Sequence, residues 1–144
     1  MQIKSYYDDT IMRHNLQPTH KRELPAANLK LDGVNLSCGD HITLYLMIND
    51  KGIIENGTFT GDGCAVSQAS TDMMLDLLIG KERGDALRLC NLFLKTVKGE
   101  IGESVLRELG EAAVMKSITQ KPSRIRCAVL GWKTMERILA GRSG

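Results

Sequence analysis

The sequence predicts an α+β fold: a three-stranded antiparallel sheet with helices packed on one of its faces. Three observations carry this. His41 to Ile48 alternates strictly, placing Ile42, Leu44, Leu46 and Ile48 on one side of a strand. After Gly63 the apolar spacing changes from two to three-to-four and stays helical. Strands come first and helices after, without the βαβ alternation that a parallel sheet requires.

Each element has its own signal. Tyr6 to His14 reads as a short amphipathic helix, with Tyr7, Ile11 and Met12 toward one side. Pro18 and the polar run Thr19 to Glu23 end it and form a linker. Leu29 to Leu36, interrupted by Asp32-Gly33, is the first strand. His41 to Ile48 is the second, and Asn49-Asp50-Lys51-Gly52 turns the chain into a third over Ile53 to Thr60. Val66 to Ile79 follows as a helix stopped by Gly80, then Asp85 to Val97. Glu103 to Gln120 is a helical region weakened by Gly110 and closed by Pro122. Arg124 to Ala140 is the last helix, with Ile125, Val129, Trp132, Met135 and Leu139 in its apolar stripe.

Composition narrows the class. The 144 residues fit one domain, read as spanning 1–144. Nineteen Lys and Arg against seventeen Asp and Glu give a net charge of +2, which nominates neither nucleic acid nor an anionic membrane as partner. No apolar run approaches the roughly 18 residues of a spanning helix. Met1 to Thr10 carries Asp8 and Asp9 and lacks the apolar centre of a secretory signal, so the expected location is cytoplasmic. The six aromatic residues leave the core to Leu, Ile, Val and Met.

Four cysteines, Cys38, Cys64, Cys90 and Cys127, are too few for a disulfide scaffold. None is spaced as CxxC, which argues against a zinc ribbon or a thioredoxin-like dithiol. Their surroundings differ. Ser37-Cys38-Gly39-Asp40 is a tight loop between strands, where a thiol and a carboxylate across Gly39 can face one cation. The same residues also make an ordinary turn. Gly61-Asp62-Gly63-Cys64 sets a sulfur at a helix start, where the macrodipole favours thiolate, and Ala65, Ser67, Ala69 and Ser70 leave room for another backbone. A buried small thiol in a strand-to-helix turn fits this segment as well. Cys127 is expected in the first turn of the last helix beside Arg124 and Arg126, or else in the core between Ile125 and Val129. Cys90, mid-helix without cap or turn, reads as core filler. Cys38, Asp40, Cys64 and Cys127 together make a tetrahedral set suited to zinc or to iron–sulfur chemistry, although no short metal motif spaces ligands this widely.

The runs Cys38-Gly39-Asp40, Gly61 to Ser70 and Arg124 to Trp132 come in an order that resembles the U-type iron–sulfur cluster assembly family of IscU, SufU and the NifU N-terminal domain. The resemblance covers nearly the whole chain, including Ile11-Met12-Arg13-His14. It implies the α+β fold, with Cys38, Asp40, Cys64 and Cys127 converging at one end as metal ligands. IscU-type members carry His before the third cysteine, where this chain has Arg126. Lys98 to Gln120 is similar to the insertion of roughly twenty residues that SufU-type members carry.

The SufU branch implies zinc, and a sulfur relay accepting persulfide sulfur from a SufS-like pyridoxal-phosphate cysteine desulfurase for downstream assembly proteins. Cys38 is then the acceptor and Arg124 its support. Whether such a relay counts as an enzyme, a sulfurtransferase, is left open. The alternative is a scaffold on which an iron–sulfur cluster is built, with iron or a transient cluster in place of zinc. A purely structural zinc domain is a third reading. His41 stands where many relatives carry Arg; adjacent to Asp40 on a strand, it points the other way and reads as a surface residue. His14 and His20 carry no signal of function.

Overall fold

The computed structural model describes residues 3–36, 39–100, 103–120 and 122–141. Helix α1 (Ile3–Leu16) leads through a linker to β1 (Leu29–Asn35), β2 (Asp40–Ile48) and β3 (Ile54–Asp62). Helices α2 (Ala65–Leu78) and α3 (Arg83–Val97), a 3-10 helical segment (Glu103–Gln120) and α4 (Pro122–Leu139) follow. The strands form an antiparallel meander in the order β1-β2-β3, as the sequence predicts.

Period two decides which residues meet the helices. Leu31, Leu44 and Phe59 stand abreast across the three strands, and Ile42, Leu44 and Leu46 are fully buried. Asp40 occupies the same face one step before Ile42, so the alternation that builds the core also turns its carboxylate inward. His41 takes the opposite face and is exposed.

Helix α2 lies centrally, against α1 on one side and α4 on the other, while α4 also packs on α3, β1 and β2. The α2–α4 crossing is close: a methyl group at Gly131 would overlap Thr71 Oγ1. Trp132 stacks on Phe93 with ring centroids 3.9 Å apart and planes 5° from parallel. Its Nε1–H donates to Ser70 Oγ at 2.9 Å, and that hydroxyl donates to the Ala128 carbonyl at 2.7 Å. Two buried polar side chains thus satisfy each other while locking α2 to α4.

One expectation is refined and one corrected. Glu103–Gln120 is helical as expected, but in 3-10 turns broken at Gly110, whose φ of 57° and ψ of −137° are non-helical. Pro122 closes nothing alone; it also opens α4, two residues before the expected start, as suits a residue with preset φ and no N–H to satisfy. Cys90 is fully buried in α3, and burial pushes its thiol well above the ordinary value. Among the described residues, no helix is long and apolar enough to cross a membrane.

Ser70→Ala strands the Trp132 indole N–H in the core. The expected loss is about 1–3 kcal/mol of unfolding free energy, measured by urea titration. An unchanged midpoint would show that the indole does not depend on this partner.

Candidate metal centre

Asp40 opens β2 and is completely buried. A buried carboxylate needs donors, and the start of α2 supplies one. The Cys64 backbone N–H donates to Asp40 Oδ1 at 2.9 Å. Cys64 is the N-cap of α2, extended at φ −70° and ψ 164°, and its side chain makes no capping bond. Its thiol faces Asp40 Oδ2 at 3.9 Å instead. The turn behind it is fixed from within: Ser67 Oγ donates to the Cys64 carbonyl at 3.1 Å, and Gln68 Nε2 donates to Ser67 Oγ at 3.3 Å.

The third member comes from α4. Cys127 is 3% exposed, and its Sγ contacts the Ser123 carbonyl at 3.5 Å. Because α4 begins at Pro122, Cys127 lies in the second turn and not in the first, as the sequence suggested; its sulfur points back along the helix toward a carbonyl. One carboxylate oxygen of Asp40 and the sulfurs of Cys64 and Cys127 all lie within 4.8 Å of one another. Around a tetrahedral zinc, one sulfur and one oxygen ligand stand roughly 3.5 Å apart. The 3.9 Å between Cys64 Sγ and Asp40 Oδ2 is close to that spacing, and two thiolates with a carboxylate are a proper donor set for zinc or iron.

The remaining candidates fall elsewhere. Cys38 lies outside the described residues. Gly39, the next residue, has φ of 72°, the left-handed conformation that its lack of a side chain permits. Arg124 is exposed in the first turn of α4 and makes no ion pair among the described residues. His41 is exposed beside Asp32, with Nε2 3.9 Å from Asp32 Oδ1, and takes no part in the cluster.

A small α+β domain with an Asp-Cys-Cys cluster of metal-ligating type at one end of its sheet is the class that fold and site define. The chain belongs to the NifU-like N-terminal domain family, whose model matches residues 6–140. It is 33% identical to the iron–sulfur cluster assembly scaffold protein IscU of Thermotoga maritima, over 96% of each chain. It is also 33% identical to the zinc-dependent sulfurtransferase SufU of Bacillus subtilis, over 99% of this chain and 95% of the relative. Among solved structures it is similar to a putative iron–sulfur cluster assembly scaffold protein for the SUF system from Fervidobacterium islandicum. That likeness has a TM-score of 0.85 and 32% identity, and covers 91% of this chain and 94% of that one. The resemblance read from the motifs is borne out.

Sequence reading missed a second polar cluster. His14, which carried no signal, is 3% exposed, with Nδ1 2.7 Å from Asp72 Oδ2 and Nε2 2.7 Å from Glu111 Oε1. Asp72 is fully buried, and its Oδ1 accepts the His20 backbone N–H at 2.8 Å. Through its two nitrogens the His14 ring joins α1, α2 and the 3-10 segment. His20 Nε2 meets Asp76 Oδ1 at 2.7 Å, so neither histidine is a bare surface residue. His14, Asp76 and Glu111 also satisfy the proximity expected of metal ligands. Yet two nitrogen or oxygen ligands on one tetrahedral ion stand roughly 3.3 Å apart. The 2.7 Å between His14 and Glu111 is that of a hydrogen bond, and Asp76 is engaged by His20, so His14 with Asp72 and Glu111 reads as a hydrogen-bonded clamp. The available signal was Asp72 itself, a carboxylate set among the small and apolar residues Ala69 to Leu75 of α2, which demands a partner.

The His14 ring, and after it Arg13, holds the Glu111 carboxyl below its ordinary value of 4.5, with partial burial opposing. A depressed folded-state value adds stability that is present above the ordinary value and lost as pH falls through the depressed one. Glu111→Gln removes that dependence. The stability advantage of the wild type over the variant is therefore expected to be constant near neutrality and to vanish on acidification below about pH 4.5. Urea titrations of both proteins from pH 3 to 7 check it; parallel curves would mean that the clamp does not involve an ionised Glu111.

Proposed function

We propose that the chain is an iron–sulfur cluster assembly protein of the SUF type that accepts sulfur from a cysteine desulfurase. The observation that carries the reading is the convergence of Asp40, Cys64 and Cys127 within 4.8 Å. The whole-length likeness to a zinc-dependent sulfurtransferase supports it. Cys38, which the chain places between β1 and β2, completes four donors. Zinc bound there would hold the thiols deprotonated and closed to side reactions.

The chain's own residues supply the rest. Asp40, Cys64 and Cys127 belong to regular elements and stay in place, whereas Cys38 is carried by the connection between two strands. As thiolate, Cys38 attacks the terminal sulfur of the partner's persulfide. A new S–S bond forms, the old one breaks, and the partner's cysteine leaves as thiolate. Pyridoxal phosphate belongs to the partner. Arg124, at the exposed start of α4, is the cation available to support Cys38 during the exchange. A scaffold role is the second reading, because relatives named for it match equally well. Cluster absorbance after anaerobic reconstitution with iron and sulfide distinguishes the two.

Mass spectrometry after incubation with a SufS-type desulfurase and free cysteine is expected to place the extra sulfur on Cys38. Cys38→Ser abolishes acceptance while Cys90→Ser leaves it intact, and Arg124→Ala slows it with zinc still bound. Sulfur on Cys64 or Cys127 at the normal rate in Cys38→Ser would overturn the assignment.

Metal analysis of the purified protein is expected to find one zinc per chain. Asp40→Ala weakens zinc binding without unfolding the domain, since the apolar core stands without the metal. Unfolding of Asp40→Ala at room temperature would make the metal structural instead.

A further inference from the structure

We infer that Gly63 is a positioning residue of this centre, acting through Asp40 to make it a one-oxygen ligand; the inference rests on the metal reading above. A carboxylate has two equivalent oxygens and left alone can offer both. Here Oδ1 is taken by the Cys64 N–H at 2.9 Å, so only Oδ2 is left on the side of the sulfurs. That bond requires the backbone of residues 63 and 64 to run directly against the carboxylate, and Gly63 is what allows it. A methyl group at position 63 would overlap Asp40 Oδ1, lie 2.9 Å from its Cγ and stand 2.8 Å from Ser67 Oγ.

The two obstructing groups differ in how they can respond. Ser67 Oγ ends a short side chain and can turn aside, giving up its bond to the Cys64 carbonyl. Asp40 cannot. It is fully buried, its backbone is paired with Asn35 at the start of β2, and its side chain shares the inner face with Ile42. A side chain at 63 therefore displaces the carboxylate and breaks the Cys64 N–H bond, freeing Oδ1 and moving Oδ2 from its place beside Cys64 Sγ. Groups that orient a ligand in this way are typically worth about 10–100-fold in metal affinity.

The test is a double-mutant cycle on zinc affinity, read by competition with a chromophoric chelator, with the visible spectrum of the cobalt(II)-loaded proteins as a second readout. Gly63→Ala is expected to bind zinc about 10–100-fold more weakly than the wild type, with a cobalt spectrum shifted toward that of Asp40→Ala. Adding Gly63→Ala to Asp40→Ala, where the overlapping carboxylate is gone and only Ser67 Oγ and the local backbone must adjust, is expected to cost much less affinity than Gly63→Ala costs the wild type. Wild-type affinity and spectrum in Gly63→Ala would overturn the inference. So would a double variant weaker than Asp40→Ala by the same factor that separates Gly63→Ala from wild type. If Gly63→Ala does not fold, the comparison of the double variant with Asp40→Ala still decides, a loss well under about tenfold sustaining the inference and a loss of about 10–100-fold overturning it. Failure of the underlying metal reading looks different: Asp40→Ala itself would then leave zinc affinity and cobalt spectrum unchanged.

Discussion

The bond from the Cys64 backbone N–H to the buried carboxylate of Asp40 is the contact on which the architecture turns. A carboxylate without solvent costs several kcal/mol unless it meets donors or a cation. Asp40 cannot retreat to the surface, because the alternation that buries Ile42, Leu44 and Leu46 buries it too. The start of α2 answers with an N–H and the positive end of a helix dipole. Sheet end and helix start are thereby held together. The direction of α2 then fixes α4, through the Ser70–Trp132 bond and the close crossing at Gly131. Cys127 reaches Asp40 and Cys64 as a consequence of how the core packs.

This arrangement stores an electrostatic demand. One N–H satisfies one oxygen of Asp40, and the other oxygen faces a thiol at 3.9 Å, a weak donor at a long distance. With the thiols ionised, three negative groups would crowd one place. A cation relieves both problems, so the site and the fold would be thermodynamically linked: what binds the native cluster and not the unfolded chain stabilises the native state. The His14 clamp shows the contrasting solution. There a ring with two nitrogens already matches two carboxylates at hydrogen-bond length, and no cation is needed.

Much of this was legible in the sequence because it depends on local periodicity. Strict alternation fixed the β2 face, and with it the inward Asp40 and the outward His41. Glycines before Cys64 marked a helix start, and Cys64 is the N-cap. Contacts that join distant segments were not legible. His14 meets Asp72 and Glu111 across separations of 58 and 97 residues, which no window reveals. Cys127 was misplaced by one turn because Pro122 was read only as a terminator of the preceding segment; a proline equally opens a helix. Gly110 weakened the predicted helix for the right reason, but the segment's 3-10 turns depend on how it packs against α2, α3 and α4.

The rigidity of three donors constrains how sulfur could pass through such a centre. Displacing Cys127 would require α4 to shift against the Trp132–Phe93 stack, and displacing Asp40 would expose the sheet end. Cys64 can move only by breaking the first turn of α2, which Ser67 and Gln68 brace. Each motion disturbs the core, at a cost comparable to a sizeable share of a small domain's total stability. A group that must leave the centre, attack a partner's sulfur and return is better carried by a connection than by a regular element. Of the four proposed donors, Cys38 alone lies in the chain between the end of β1 and the start of β2. In that reading, holding and carrying would be divided between the packed elements and the connection between β1 and β2. A carboxylate is a harder ligand than a thiolate, so a centre containing Asp40 would hold a soft metal less tightly than one closed by four sulfurs.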